Sequence, residues 1–437
     1  MTFDLDRALR IVDGARTLAV TGKVSEIVGL VVRATVPGIR QGDMVDIERA
    51  GLPSLPAEVV GFRGDEAILL PLGEPAGVGP DSAVSPRGRP LGLRCGEALL
   101  GRVVDGLGRP IDGGPDLDAA ALEEWAVDRP APDPLTRTRV TEPLPTGVRA
   151  IDALCTLGRG QRIGLFAGSG VGKSTLLGQI ARTATADVNV ICLVGERGRE
   201  VRDFLEDSLG AEGLRRSVVV CATSDAPSLV RLKSAYVATA IAEWFRDRRG
   251  ANVLMMVDSL TRFARAQREV GLSAGEPPAR QGYPPSVFAA LPRLLERTGN
   301  AAAGSITAIY TVLVAGSDMD EPIADEVRGI VDGHIVLDRD LGARGRWPAI
   351  DVLRSVSRVM PAVAVAAHVD AARRAREVLA VHEQHRDLIT LGAYKRGGDP
   401  RVDDAIARID AIEAFLRQST RESSRFADAV ARLAQLA

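Results

Sequence analysis

The residues with the plainest chemical meaning are eight in a row, Ala167-Gly168-Ser169-Gly170-Val171-Gly172-Lys173-Ser174. They follow an apolar run at 163–166 and pass straight into the helix-forming Thr175-Leu176-Leu177. Glycines at 168, 170 and 172 permit positive φ, so successive backbone N–H groups can turn inward at a phosphate chain with the positive end of a helix behind them. A chance glycine-rich turn would not carry a strand before it and a helix after it. Lys173 would reach the terminal phosphates and the Ser174 hydroxyl would ligate Mg²⁺, with Gly168, Ser169, Gly170, Val171, Gly172 and Thr175 completing the nucleotide cradle. Ala167 stands where this pattern opens with glycine, and a small side chain there still allows the turn. The 55 basic residues include only four lysines, so a lysine at this position points to a specific role.

Hydrolysis makes further demands: a metal held, a water aimed, and the charge growing on the γ-phosphate neutralised. Asp258 ends the apolar run Val253-Leu254-Met255-Met256-Val257. There it can hold the metal through its waters, or cap the helix that follows. Glu196 sits at the end of another apolar run, where it can polarise the attacking water or simply open a helix. Arg262, one turn past Asp258, and Arg358 are candidates for stabilising transition-state charge, although most arginines of such a chain are surface ion-pair partners. Trp347, just before Pro348, is either a core residue or a flat platform for an adenine ring.

These side chains need elements to position them. Strands are expected at 162–167, 188–194, 217–222, 252–257 and 306–314, each apolar along nearly its whole length, as strands buried on both faces must be. Helical stretches such as 227–248 lie between them. The alternation predicts a parallel sheet with crossover helices and ligands at the C-terminal strand ends. Ahead of it, residues 21–90 carry short β-branched runs broken by Gly and Pro, as in a small antiparallel barrel or sandwich. Proline-rich residues 131–152 read as an extended connector. Beyond Pro361 only helical periodicity remains, in two amphipathic runs separated by Gly397-Gly398-Asp399-Pro400. Residues 3–14 put Phe3, Leu5, Leu9 and Val12 near one face of a short helix, which either docks on its own domain or binds a partner.

Composition narrows the class. A chain of 437 residues, 46% hydrophobic and 26% charged, reads as an ordinary soluble protein of two or three domains. A net charge of −2 argues against wholesale nucleic-acid binding, and residues 21–90 hold a single aromatic, Phe62, which is too little for a base-stacking surface. No apolar run approaches about 18 residues and the N-terminus lacks a basic region, so a cytoplasmic location is expected. Cys95, Cys155, Cys192 and Cys221 lie far apart without a CxxC pair and are expected to be reduced, Cys192 and Cys221 in buried strands. His382 and His385 can share a helix face, but two ligands do not make a metal site.

Together, the segments GRVVDGLGRPIDG, GLFAGSGVGKSTLL, GERGREV, MMVDSLTRFARAQREVG and PAIDVLRSVSR resemble the catalytic subunits of rotary ATP synthases. They resemble the type III secretion export ATPases more closely still, from about residue 22 to the C-terminal helices. The resemblance implies a β-barrel over 21–90, an α/β RecA-like P-loop NTPase domain with a parallel sheet over 91–360, and an α-helical domain over 361–437, assembled as a homo-hexamer. It implies ATP and Mg²⁺ as ligands and protein export by a flagellar or injectisome apparatus as the purpose.

Carried over residue by residue, it makes Lys173 and Ser174 phosphate and metal residues, Glu196 the catalytic glutamate, Asp258 the metal carboxylate and Arg262 a contact of the phosphate region. Arg358 becomes a finger reaching the neighbouring subunit's ATP, and Trp347 takes the place where relatives carry tyrosine against adenine. Asp318, Asp320 and Glu321 match a loop that touches a central stalk protein, and residues 1–20 match a helix that binds a stator protein. The other expected partners are export chaperones, secreted substrates and an export gate at the inner face of the bacterial inner membrane, with no nucleic acid. A non-catalytic ring subunit would carry Gln at position 196; Glu196 and Arg358 in one chain predict an active ring. An RNA-dependent hexameric translocase is the minor alternative.

Overall fold

The computed structural model describes residues 20–314 and 318–436. The chain falls into two compact units that divide between Leu91 and Gly92. The helix expected at 3–14 lies outside the described residues.

The first unit is a closed antiparallel barrel of β1 (Gly22–Val28), β2 (Val31–Thr35), β3 (Asp43–Arg49), β4 (Leu52–Arg63), β5 (Glu66–Pro71) and β6 (Ala83–Pro90), in the order β1-β2-β5-β4-β3-β6. Alternation sends Val32, Ala34, Val45, Ile47, Val59 and Leu69 into one core, and the polar residues between them face outward. At the seam, a Cβ on Gly22 would lie 2.2 Å from the Thr35 carbonyl, so only glycine fits there. The sequence left barrel and sandwich open; closure resolves the choice and leaves no sheet edge exposed.

The second unit begins with β7 (Gly92–Cys95), β8 (Val103–Asp105) and β9 (Glu123–Ala126). β7 and β9 pair with each other, while β8 joins the edge of the main sheet. That sheet continues with β10 (Arg162–Ala167), β11 (Val188–Glu196), β12 (Ser217–Thr223), β13 (Asn252–Asp258), β14 (Gly299–Asn300), β15 (Ser305–Leu313), β16 (Gly333–Leu337) and β17 (Ile350–Ser357). The order is β17-β16-β10-β15-β13-β11-β12-β8, with β14 beside β15. Neighbours run parallel except at β14 and β17. The near-continuous burial of β10, β11, β13 and β15 explains why their sequences lack alternation.

Helices beyond Pro361, at Ala366–Thr390, Pro400–Leu416 and Phe426–Leu436, pack into the same core as the sheet. Ala375, Leu379, Ile412, Phe415 and Leu433 belong to one hydrophobic cluster with Leu165, Leu177 and Ile180. The periodic sequence needed a partner for its apolar stripes, and the sheet domain supplies it.

A buried carboxyl organises the joint between these parts. Asp152, in the helix Arg149–Leu154, accepts hydrogen bonds from Thr146 N at 2.8 Å, Thr146 Oγ1 at 2.7 Å and Gly147 N at 2.9 Å. Burial nevertheless pushes its carboxyl up to about 6, against the pull of those bonds. Because the folded value lies above the unfolded one, its contribution to stability is full below about pH 4 and is lost as pH rises through about 6. Two pH units at 1.36 kcal/mol each amount to about 3 kcal/mol. Chemical denaturation should therefore find wild type gaining on Asp152→Asn by up to that amount between pH 7.5 and pH 4.5. A gap that does not change with pH would mean that Asp152 stays ionised in the fold.

Candidate active site

The glycine-rich segment 168–172 joins β10 to the helix Lys173–Thr183. Gly170 and Gly172 take φ of 76° and 81°, the left-handed region that their lack of a Cβ permits. Lys173 heads the helix, with Ser174 and Thr175 exposed in its first turn. Unsatisfied N–H groups and the helix dipole concentrate positive potential at that end.

Parallel strands bring the acids to the same place. Ala167, Glu196 and Asp258 are the last residues of β10, β11 and β13, and only β15 separates β10 from β13. Lys173 Nζ pairs with Asp258 Oδ1 and lies 3.7 Å from Glu196 Oε1. Thr311 on β15 donates to Asp258 Oδ1 at 2.8 Å. The side chain of Asp258 thus faces the lysine and Thr311. Both β11 and β13 run past their expected ends to include the acids.

Glu196 owes its direction to a bulge. The register of β11 against β12 slips between Val194 and Glu196, where Gly195 takes φ of 64°. The slip re-aims the glutamate toward Arg262, with which it pairs. A Cβ on Gly195 would meet Arg262 Cδ at 3.2 Å. Burial, then a hydrogen bond with the Glu200 carboxyl, pushes the Glu196 carboxyl above the usual carboxylate range, while Arg262 and Lys173 pull it down. A buried carboxylate whose proton affinity is raised is suited to accept a proton from water.

Among the described residues no group of three or more His, Cys, Asp or Glu is placed to hold a metal ion. The donors present suit Mg²⁺ of another kind of site, with a hydroxyl from Ser174, the Asp258 carboxylate and oxygens from a phosphate ligand. The four cysteines are buried free thiols. Burial pushes the Cys192 thiol up to about 12, so it is inert.

Beside the loop lies a cavity of about 280 Å³ whose lining includes Gly172, Leu337, Trp347, Pro348, Gln418 and Thr420. Trp347 is 43% exposed. Its ring lies against the loop: a Cβ on Gly172 would come within 2.9 Å of Trp347 Cζ3. Gln418 holds the far wall. Its backbone N donates to Trp347 O at 2.8 Å, its Nε2 donates to Gly147 O at 2.7 Å, and its Oε1 accepts from Arg149 N at 2.8 Å. Sequence reasoning missed Gln418 and Thr420. The available signal was the polar Gln418-Ser419-Thr420 interrupting the second amphipathic run.

Arg358 is elsewhere. It follows β17, and its N–H donates to Asp332 O at 3.0 Å; Asp332 in turn donates to Arg162 O at 2.8 Å, at the opening of β10. The loop begins at the other end of that strand, about 16 Å away at 3.3 Å per residue. Arg358 therefore cannot serve the site of its own chain. Asp318 and Asp320 are exposed just before the helix Pro322–Ile330, and Asp320 pairs with Arg328 at 3.4 Å. Glu321 occupies that helix's N-cap position.

Comparison with known proteins agrees with this geometry. Residues 147–357 match the ATP synthase alpha/beta family, nucleotide-binding domain, and residues 364–435 match the T3SS EscN ATPase C-terminal domain. The flagellum-specific ATP synthase of Bacillus subtilis is 52% identical over 417 residues, covering 95% of this chain and 94% of its own. The type 3 secretion system ATPase of Xanthomonas euvesicatoria is 54% identical over 407 residues, covering 93% and 91%. Among solved structures, the assembled ATPase EscN of the enteropathogenic E. coli type III secretion system superimposes with a TM-score of 0.89 at 46% identity, covering 95% of this chain and 99% of EscN. EscN has also been solved in complex with its central stalk EscO. A barrel, a parallel-sheet nucleotide domain and packed C-terminal helices define an ATPase of the rotary ATP synthase type. The chain belongs to the ATP synthase alpha/beta family, in the branch of the flagellar and type III secretion ATPases.

If Trp347 stacks on the base, Trp347→Ala should raise the KM for ATP about tenfold, within the range of a lost base–aromatic stack. Trp347→Tyr should stay near wild type, and kcat should change little in both. Steady-state phosphate release measures all three; an unchanged KM in the alanine variant would remove the tryptophan from the base pocket.

Proposed function

We propose that this protein hydrolyses ATP to drive protein export by a type III secretion apparatus, releasing chaperones from substrates and unfolding them. The observation that carries the reading is the convergence of Lys173, Glu196 and Asp258 at one end of the sheet while Arg358 stands at the other. Lys173, now pairing with acids, would exchange them for the terminal phosphates. Ser174 and Asp258 would hold Mg²⁺, which would supply positive charge to offset that of the phosphates. Glu196 would orient the attacking water and accept its proton, with Arg262 holding the glutamate and facing the phosphates. The Gly168–Thr175 stretch would cradle the nucleotide and Trp347 would stack on adenine.

Arg358 acts in a second copy of the chain. A site lacking its own finger but carrying one for a neighbour is built for a closed ring, and a homo-hexamer of the kind expected from the sequence satisfies every copy. The solved EscN assembly and its stalk complex support this reading, with a central stalk meeting Asp318, Asp320 and Glu321. A stator protein on residues 1–20, export chaperones and secreted substrates complete the partners. Among the described residues no helix is long and apolar enough to cross a membrane. A cytoplasmic position against the inner membrane, beneath the export gate, fits this function.

Two measurements test the division of labour. Glu196→Gln should bind ATP normally and lose about 10² to 10⁴ in turnover, the usual worth of a general base; wild-type turnover would remove it from that role. Arg358→Ala should bind ATP and lose about 10³ to 10⁵. Mixed with Lys173→Ala, which is inactive for a different reason, it should recover part of the activity, because mixed rings contain some intact sites. Two inactive proteins that stay inactive when mixed in assembled rings would argue that no residue is shared between subunits.

A further inference from the structure

Arg339 has no part in the roles assigned above, yet it touches the phosphate loop. β10 and β16 run parallel with Ala167 opposite Leu337, so Ser169 and Arg339 each lie two residues beyond a matched pair. Arg339 Nη2 donates to Ser169 O at 2.9 Å. The arginine's own backbone is fixed. Asp338 caps the turn Arg339–Ala343, its Oδ1 accepting from Asp340 N at 2.8 Å and Leu341 N at 3.1 Å.

We propose that Arg339 is a positioning residue for nucleotide binding, holding the Ser169 carbonyl outward so that the Gly170 N–H points into the phosphate cradle. The peptide unit between Ser169 and Gly170 is planar and trans, so its C=O and N–H point in opposite directions. Fixing one end aims the other. Such a restraint is needed because Gly170, at φ of 76°, has no side chain to resist rotation of that unit, and a Cβ built there would meet nothing within 4 Å. The same freedom that lets the loop curl would let this donor turn away from a phosphate. The segment that carries Arg339 also leads to Trp347, whose ring lies against Gly172. Both ends of the loop are therefore restrained by one neighbouring stretch of chain.

The inference rests on the nucleotide-site reading above. The test compares wild type, R339M, which keeps the stem without a donor, and R339K, which keeps a charged donor. ATP turnover gives KM and kcat, and calorimetry with ADP gives Kd. In R339M, KM for ATP and Kd for ADP should both rise about tenfold, as for loss of one charge-assisted hydrogen bond to phosphate, with kcat within about twofold. R339K should recover most of the affinity. If wild type binds ADP and R339M binds it equally well, this inference fails while the nucleotide site stands; if wild type itself binds no nucleotide, the earlier reading fails. A fall in kcat with ADP affinity unchanged would overturn the inference, placing Arg339 on the transition state instead of the cradle. R339K no better than R339M would also overturn it. Should R339M not fold, R339L, which likewise lacks a donor, replaces it, with the same expectations.

Discussion

The site depends on charges that share a low-dielectric corner. Glu196 and Asp258 are buried and Lys173 is partly buried, and an unpaired charge at that depth would be costly. Each is paid for by the others and by Thr311 and Arg262. What brings them together is strand direction: in a parallel run, all C-terminal tips lie at one edge, so residues far apart in sequence end there together. The arrangement is also poised for exchange. A phosphate group and its cation carry complementary charges, so each pairing present in this corner would have a replacement when such a ligand binds.

The same sheet geometry keeps Arg358 away. β17 runs antiparallel to β16, so its last residue emerges at the opposite edge from the loop. On the function proposed above, one reversed strand in an otherwise parallel neighbourhood would leave the site of a single chain incomplete and make the far edge a donor for another copy. Chemistry and assembly are thus two results of one topology.

Much of this was legible in the sequence, and for identifiable reasons. Gly170 and Gly172 announced a left-handed turn, and the unbroken apolar runs announced strands covered on both faces. Glu196 and Asp258 were visible because a charge ending such a run is conspicuous. The bulge at Gly195 was not visible, since nothing in GERGREV separates an irregular strand end from a regular one. Gln418 was also hidden: its amide bonds to the backbone of Gly147, 271 positions away, and a contact with a main-chain atom leaves no pattern in side-chain types. Arg339 was lost among many arginines for the same reason, its partner being a carbonyl. Residue type speaks where chemistry or burial demands it and is silent where long-range backbone contacts decide.

Gln418 joins the wall of the cavity beside the loop to the stretch between two of the last helices. Its amide grips Gly147 and its main chain grips Trp347, while Arg149 braces the neighbouring turn through Phe415 O at 2.8 Å. On the function proposed above, a nucleotide held beside Trp347 would be tied through these backbone bonds to the root of the helical hairpin, whose far tip at Leu391 stands exposed. A shift too small to notice at the root would grow with distance along a stiff rod, so on that reading the hairpin would carry changes of occupancy outward to its tip.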